Sequence, residues 1–259
     1  MSTIFITMPR AVQWTGMPID FSSLYHESSK DIPKKGAADP RQEPSQLPEE
    51  SQVVEYKTYP RLPAILLKAG VDTKVSISSK KGISGTQFSG SPINTVLLSR
   101  LLLHSCGILE YAHDTNPRRA YLSEKSTYPI EVYPLIFSDS DIAQGVYHYG
   151  VRQHVLTELW KRRFNITDKR TLFVDEWATE ASLALVLTGV FKRTHSSHGE
   201  RGYRNVLLEA GRIGQNICSV SEGMKLHCCS SSKTSDREIE KLLDIDGISE
   251  SVIDVLFVG

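Results

Sequence analysis

A long amphipathic segment near the C-terminal end of the chain most limits what this protein can fold into. In residues 201–226, small and apolar side chains recur at helical spacing: Val206, Leu207, Ala210, Ile213, Gly214, Ile217 and Val220. The pattern predicts a long helix that is buried on at least one face. Gly211 and Gly214 have no side chain, so another helix or a ligand could approach the backbone closely there.

Two further helices are predicted from spacing and capping residues. Residues 92–107 show a helical apolar pattern, with Asn94 suited to cap its N-terminus and Gly107 suited to end it. Ser235 and Glu238 match a capping box, in which each side chain bonds the backbone at the other residue. This motif predicts a short helix that runs through Leu243.

Four segments are predicted strands: residues 130–137, 147–151, 181–191 and 252–258. The short aliphatic run 181–191 favours a buried strand, with a buried helical segment as the alternative. Pro134 lacks the backbone donor that an interior strand position would use. The order of elements predicts an α+β fold with helices against an antiparallel or mixed sheet.

The N-terminal part of the chain has a different composition. Residues 27–55 are rich in Ser, Lys, Pro, Gln and Glu and have almost no large aliphatic side chains. Such a segment cannot bury a core, so we expect it to be extended or mobile. Residues 60–67 resemble an extended arm that packs on the folded body or on a neighbour. Together these features predict an N-terminal extension over residues 1–75.

Charge and composition exclude several function classes. Thirty basic residues balance thirty acidic ones, which gives no basis for a nucleic-acid or anionic-membrane partner. No apolar run approaches the roughly 20 residues of a membrane helix, and no basic segment precedes the short apolar start, so no secretory signal is expected. Four irregularly placed cysteines do not form a disulfide framework, which favours a reducing cytoplasm.

Candidate chemical groups are few. Cys228 and Cys229 follow a histidine, but no second Cys/His pair stands at a finger-like spacing, so no metal is expected. His195 and His198 are predicted to lie in a solvated loop. The glycine-rich stretch 82–90, which follows Lys80 and Lys81, could supply backbone donors and a cation to a phosphate. The polar groups of residues 201–204 could bind an anion or simply cap the long helix.

Several blocks resemble, in order, those of one family. They are "LYHESSK", "YKTYPRLPAILL", "TYPIEVY", "GVYHYGVRQHVLTEL", "GERGYRNVLLEAGRIGQN" and "LLDIDGISESVIDVLFVG". Together they resemble the SagB-type dehydrogenases of the nitroreductase superfamily, and the likeness covers nearly the whole chain. Members use flavin mononucleotide (FMN) to oxidise thiazolines and oxazolines in ribosomally made, modified peptides.

The resemblance implies a nitroreductase-like domain over residues 76–259, with a central sheet flanked by helices. It also implies an intertwined dimer with the flavin at its interface, and a peptide substrate or modifying-enzyme subunits as partners. At the positions of the family's cofactor-binding groups, this chain has Lys80, Lys81, Ser84, Ser123, Tyr128, Glu131, Arg204 and Gln215. His198 and Tyr203 are the implied catalytic residues, with His198 as the possible base.

The same comparison with the family's motifs shows four departures from the family pattern. Glu124 and Lys125 stand where members have two small residues that let the backbone approach the flavin ring. No arginine occupies the phosphate signature around Ser84, and no glycine-rich turn follows the long helix. Ser197 and His198 stand where the azoline oxidases have a Lys-Tyr pair that assists proton removal.

Two functions remain open at this point. The first is an FMN-dependent oxidoreductase that dehydrogenates azoline rings in peptides, or one that acts on a small nitro- or quinone-type acceptor. The second is a flavin-free pseudoenzyme, which keeps the fold as a scaffold or partner subunit of a peptide-modifying complex.

Overall fold

A computed structural model describes residues 21–30, 56–68, 87–111 and 117–259. The chain divides into two compact units, residues 1–45 and 46–259. The described part of the first unit is helix α1 (Phe21–Ser28) and the turn that follows it. The expected mobile segment, residues 27–55, lies almost entirely outside the described residues. All other described elements belong to the second unit.

The second unit is built on a seven-stranded, fully antiparallel sheet with the order β1-β6-β5-β4-β7-β9-β8. Its strands are β1 (Ala64–Leu66), β4 (Ile130–Ile136), β5 (Gly145–Gly150), β6 (Val155–Lys161), β7 (Leu183–Val190), β8 (Cys228–Ser230) and β9 (Glu250–Val258). Strands β2 (Ile108–Tyr111) and β3 (Pro117–Arg119) form a separate antiparallel pair. The predicted α+β fold is confirmed, and the sheet is antiparallel rather than mixed.

The described residues of this unit include five helices: α2 (Thr95–Cys106), α3 (Ile166–Leu172), α4 (Lys192–His198), α5 (Arg201–Gly223) and α6 (Asp236–Leu243). Short 3₁₀ turns occupy Glu124–Ser126 and Glu176–Glu180. Asn94 caps α2 as predicted, because its side-chain oxygen accepts a hydrogen bond from the Leu97 N–H at 2.9 Å. No helix in the described ranges is long and apolar enough to cross a membrane.

Helices and loops cover both faces of the sheet. On one face, α2 and α5 pack through side chains such as Leu101 and Ile213 against strand residues such as Leu185. On the other face, Val186 packs with Phe257 and with residues of α3 and α6. Neighbouring residues of β7 therefore enter opposite cores. This explains the uninterrupted aliphatic run in the sequence and confirms the prediction of a buried strand there.

Strand β4 tolerates a proline at its centre because its two neighbours pair with it unequally. It pairs with β7 along its whole length, including Pro134 with Leu185. Its pairing with β5 covers only Leu135 and Ile136, so Pro134 lies just beyond that ladder. The missing N–H therefore removes little from the sheet.

Three details of the sequence interpretation were wrong. The strand predicted through Val151 is the first half of a hairpin, and β6 in the following polar segment was missed. His195 and His198 lie in helix α4 rather than in a loop. Ser235 precedes α6 but forms no capping box, because its N–H donates to the Leu172 carbonyl at 2.8 Å.

The small residues of α5 allow a direct test of its packing. A Cβ atom on Gly202 would lie 2.8 Å from the backbone carbon of Thr194 in α4, so Gly202→Ala must push the two helices apart. We expect a loss of about 1–3 kcal/mol in the free energy of unfolding, measured by urea denaturation. Gly211 is the matched control, because a Cβ there meets nothing within 4 Å. Gly211→Ala should stabilise the helix by about 0.5–1 kcal/mol, and a larger loss there than at Gly202 would contradict this packing.

Candidate functional site

The segment between β3 and β4, residues 120–129, crosses helix α5 and is held there by side chains of that helix. Arg212 Nη1 donates to the Leu122 carbonyl at 3.0 Å. Asn216 Nδ2 donates to the Ala120 carbonyl at 2.9 Å and to the Ser105 carbonyl at 3.1 Å. The long helix therefore positions the segment in which the sequence places Ser123 and Tyr128.

The loop within this segment has an unusual backbone conformation. Lys125, Ser126 and Tyr128 all have positive φ angles, of 51°, 55° and 43°. This left-handed region suits glycine and costs a side-chain-bearing residue roughly 1–2 kcal/mol. The Ser123 hydroxyl helps to hold the loop, since its oxygen accepts a hydrogen bond from the Tyr128 N–H at 2.9 Å. The loop thus keeps a glycine-type conformation without any glycine.

The side chain of Lys125 connects this loop to the end of helix α4. Its Nζ donates to the Ser197 carbonyl at 3.2 Å. His198 follows in the same helix, and its Nε2 is buried with no hydrogen-bond partner in the described ranges. Burial lowers the pKa of His198, the charge of Lys125 lowers it further, and the charge of Glu124 opposes both. The loop and the C-terminal end of α4 therefore meet beside Ser197 and His198.

A buried carboxylate anchors the start of β4 beside this loop. Glu131 Oε1 forms an ion pair with Arg193 Nη2 at 2.6 Å, and Oε2 lies 2.8 Å from His148 Nε2. Burial alone would raise the pKa of Glu131, but the hydrogen bond with His148 and the charge of Arg193 lower it to about 2. Arg193 Nη1 also donates to the Tyr128 carbonyl at 3.1 Å. The ion pair of Glu131 with Arg193 thus joins β4 to α4, and Arg193 also holds Tyr128 at the end of the loop.

A second arginine covers the aromatic side of the loop. The guanidinium carbon of Arg119 lies 4.4 Å from the centre of the Tyr128 ring, and its Nη1 donates to the Tyr121 hydroxyl at 3.2 Å. The rings of Tyr121 and Tyr128 meet edge to face, with centroids 5.8 Å apart. Burial raises the pKa of Tyr121, which keeps its hydroxyl protonated.

Sequence reasoning missed Glu209, a buried carboxyl on α5 that faces this loop. Glu209 is only 1% exposed, and its Oε1 has no hydrogen-bond partner in the part of the chain that the structure describes. Burial raises its pKa to about 7, although a hydrogen bond with Ser123 and the charges of Arg119, Arg212 and Arg193 act in the opposite direction. A glutamate within the apolar stripe of a helix was the signal available in the sequence.

The sequence-predicted residues are only partly brought together. Ser123, Tyr128 and Glu131 lie in one contiguous region, and His198 faces them from α4. Tyr203 is partly exposed and its ring lies against Phe191, with centroids 5.3 Å apart.

Of the remaining predicted residues, two lie on α5 and three lie outside the described residues. Gln215 is exposed, and its Nε2 donates to Ser219 Oγ on the same helix at 3.2 Å. Arg204 is half-buried near the start of α5. Lys80, Lys81 and Ser84 lie outside the described residues. No cluster that could hold a metal ion occurs in the described ranges.

A scan against family models matches the description "Nitroreductase family" over residues 89–259. This chain belongs to the nitroreductase family. Among curated relatives, it is 24% identical over 159 residues to the putative nitroreductase MJ1384 of Methanocaldococcus jannaschii, covering 61% of this chain and 78% of that protein. It is 25% identical over 211 residues to the microcin B17-processing protein McbC of Escherichia coli, covering 75% of each chain.

Solved structures show the same fold. A putative nitroreductase from Anabaena variabilis superposes with a TM-score of 0.69 at 27% identity and covers 92% of this chain. This chain spans only 45% of that protein's length. The E. coli microcin synthetase McbBCD complex, with truncated pro-MccB17 bound, includes a chain that matches with a TM-score of 0.61 at 23% identity, covering 75% of this chain and 77% of that one.

Nitroreductase family members generally depend on FMN, so the described residues must be compared with what a flavin needs. Two charged side chains, Glu124 and Lys125, extend from the loop whose bare backbone would face the ring. Lys125 also closes the loop onto Ser197. The buried arginines Arg119 and Arg193 are already engaged by Tyr121, Glu131 and the Tyr128 carbonyl. A flavin ring laid against this loop would therefore have to displace the exposed contact of Lys125 with Ser197.

The raised pKa of Glu209 predicts a specific pH dependence of stability. The pKa of Glu209 is about 7 in the folded protein and 4.5 in the unfolded chain. Glu209 therefore stabilises the fold fully below pH 4.5, where it is protonated in both states. That contribution is lost as the pH rises through 7, with a total change of about 3 kcal/mol. Glu209→Gln should remove this slope in urea denaturation between pH 4.5 and 8.

Glu131→Gln is the control of opposite sign for this experiment. The pKa of Glu131 in the folded protein is about 2, so the stabilisation by its charge is present above pH 4.5 and is lost only in acid. Removing the charge should destabilise the protein by about 3–5 kcal/mol because Arg193 loses its buried partner. This loss relative to wild type should be nearly constant between pH 4.5 and 8, because Glu131 stays ionised over that range. Parallel wild-type and Glu209→Gln curves would contradict the assignment of a protonated Glu209.

Proposed function

We propose that this chain is a flavin-free, nitroreductase-fold subunit of a peptide-modifying assembly. The observation that carries the proposal is the contact between Lys125 Nζ and the Ser197 carbonyl at 3.2 Å. It joins the loop that would face a flavin to the helix end that would carry the catalytic pair. A ring and a substrate would both need the space that this contact crosses.

The chemistry of the remaining groups supports this interpretation. Dehydrogenation of an azoline removes a carbon-bound proton and delivers a hydride to a flavin, so both a base and the cofactor are indispensable. His198 is the one predicted base, and its Nε2 is buried with no hydrogen-bond partner in the described residues, so this nitrogen is not presented to a substrate. Ser197 has no basic group that could replace the lysine of the relatives.

The link to peptide modification comes from the relatives. The similarity to McbC covers three quarters of both chains, and McbC is a microcin B17-processing protein. The McbBCD complex, solved with truncated pro-MccB17 bound, has the same fold in the matching chain. These relatives support the proposal that this chain, too, works beside other subunits on a peptide.

Exposed apolar side chains beside the loop support a partner chain at this face. Leu122 is 79% exposed in the loop, and Leu208 is 54% exposed on α5. Leu208 precedes Arg212 by one helical turn, and Arg212 binds the Leu122 carbonyl, so these side chains border one surface. Tyr203 and Leu207 extend it along the helix. We propose that a second copy of the chain covers this surface in the purified protein.

The second candidate function is an FMN-dependent azoline dehydrogenase. The positive φ angles of Lys125, Ser126 and Tyr128 favour it, because the loop retains the backbone shape that glycine would supply. In that case Lys125 would have to leave Ser197 when FMN binds. The two functions differ in one simple property, which is the affinity for FMN.

An FMN titration followed by thermal unfolding separates these functions. We expect the melting temperature of the wild-type chain to stay unchanged in 1 mM FMN, whereas a flavin-binding nitroreductase measured alongside should be stabilised. A site with a Kd near 10 μM would add about 2.7 kcal/mol at this concentration, which corresponds to roughly 5–10 °C. A shift of that size, with flavin absorption retained after gel filtration, would support the dehydrogenase instead.

Sedimentation equilibrium tests the proposed partner surface. We expect the wild-type chain to be a dimer at micromolar concentration, and Leu208→Asp to be a folded monomer whose melting temperature no longer depends on protein concentration. Leu66→Asp is the matched control, because Leu66 is 66% exposed on strand β1 at the edge of the sheet. A monomeric wild type, or equal effects of the two substitutions, would contradict self-association through this surface.

A further inference from the structure

Two cysteine thiols meet where the C-terminal part of α5 packs against β8. The Sγ atoms of Cys218 and Cys228 lie 3.1 Å apart, although the residues are ten positions apart in the chain. A disulfide bond is about 2.05 Å long, so a movement of about 1 Å would join the two sulfurs. Both cysteines are free thiols in this structure.

The two thiols differ in exposure and in the direction of their pKa shifts. Cys218 is half-buried, whereas Cys228 is only 3% exposed. The hydrogen bond from Cys228 lowers the pKa of Cys218, although burial opposes this. The same hydrogen bond, together with burial, raises the pKa of Cys228. Cys218 is therefore the sulfur that reacts first, because the thiolate is the nucleophile.

The other two cysteines do not compete for this pairing. Cys229 follows Cys228 in β8, so its side chain points to the opposite face of the sheet, and its thiol donates to the Ser230 carbonyl at 3.4 Å. Cys106 is fully buried in α2, where its thiol donates to the Leu102 carbonyl at 3.3 Å. Burial raises the pKa of Cys106 to about 12, which keeps it in the unreactive thiol form.

We propose that Cys218 and Cys228 are a redox-modification site that forms a reversible disulfide with a small disulfide oxidant. The Cys218 thiolate attacks one sulfur of glutathione disulfide, and a mixed disulfide forms as one glutathione leaves. Cys228 then attacks the Cys218 sulfur and releases the second glutathione. The two protein thiols lose two electrons and two protons, and one glutathione disulfide becomes two glutathione molecules.

The disulfide would fix the helix that holds the loop. It would tie α5 to the edge strand β8, which pairs with β9. Asn216 lies two residues before Cys218, and its amide holds the carbonyls of Ser105 and Ala120. Oxidation would therefore restrict the end of α5 that supports the start of the loop segment. The inference is independent of flavin binding, because it uses none of the residues beside Ser123.

Peptide mapping of the full-length chain under non-reducing conditions tests the proposal. After incubation with glutathione disulfide, we expect a peptide that links Cys218 to Cys228, and an intact mass lowered by two hydrogens. The melting temperature should rise by roughly 5–10 °C and return after reduction. Cys106→Ser and Cys229→Ser should behave like the wild type, whereas Cys218→Ser should lose both the linked peptide and the shift.

The outcomes are distinguishable even if one variant folds poorly. Cys218→Ser changes a half-buried residue. The melting temperature of this variant under reducing conditions is measured first, and a value equal to that of the reduced wild type shows that the fold is retained. Cys228→Ala then provides an independent variant at the buried position, with the same expected loss of the linked peptide. A stable mixed disulfide with glutathione at Cys218 in the wild type would overturn the proposal, as would a link through Cys229 or no oxidation at all.

Discussion

The buried carboxylate of Glu131 is the interaction on which the site depends. A charge removed from water must be paired and hydrogen-bonded, and Glu131 meets this requirement through Arg193 and His148. These partners come from α4 and β5, so one carboxylate joins three elements. Through the contact of Arg193 with the Tyr128 carbonyl, it also fixes the end of the loop. The start of β4 could not move without leaving charges unpaired.

The loop anchored in this way has two properties that rarely occur together. Its backbone keeps the left-handed conformations that suit glycine, while its side chains are a glutamate, a lysine and a serine. Lys125 reaches the end of α4, and Ser123 forms a hydrogen bond with the buried carboxyl of Glu209 on α5. A loop shaped for a ligand is thus held by the protein's own side chains. This agrees better with contact to a partner chain than with a flavin ring.

Patterns within one element were sufficient to predict the α+β class, the long helix and the inner strands β4, β7 and β9. The aliphatic run of β7 and the apolar stripe of α5 identified both elements, because burial imposes a periodicity that the sequence records. Helix α4 was missed because its Ser, Thr and His residues have no helical pattern, and it forms where Gly202 of α5 packs against Thr194. The prediction of a capping box at Ser235 was wrong because the N–H of Ser235 donates a hydrogen bond to the carbonyl of Leu172, which is distant in the sequence.

The site was predictable only as a list of residues. Ser123, Tyr128 and Glu131 could be named from the family likeness, and the structure shows that they are neighbours. The contacts that decide how the site can work are long-range: Lys125 and Ser197 are 72 positions apart, and Ser123 meets Glu209 from another helix. No local pattern encodes such pairs.

The flavin content of the protein as purified from cells tests the central claim most directly. Flavin released by denaturation can be quantified by its fluorescence and divided by the amount of protein chain. A loop closed by Lys125 predicts that no flavin is released. Nearly one FMN per chain would contradict the account, because it would require the loop to open and expose its backbone to the ring.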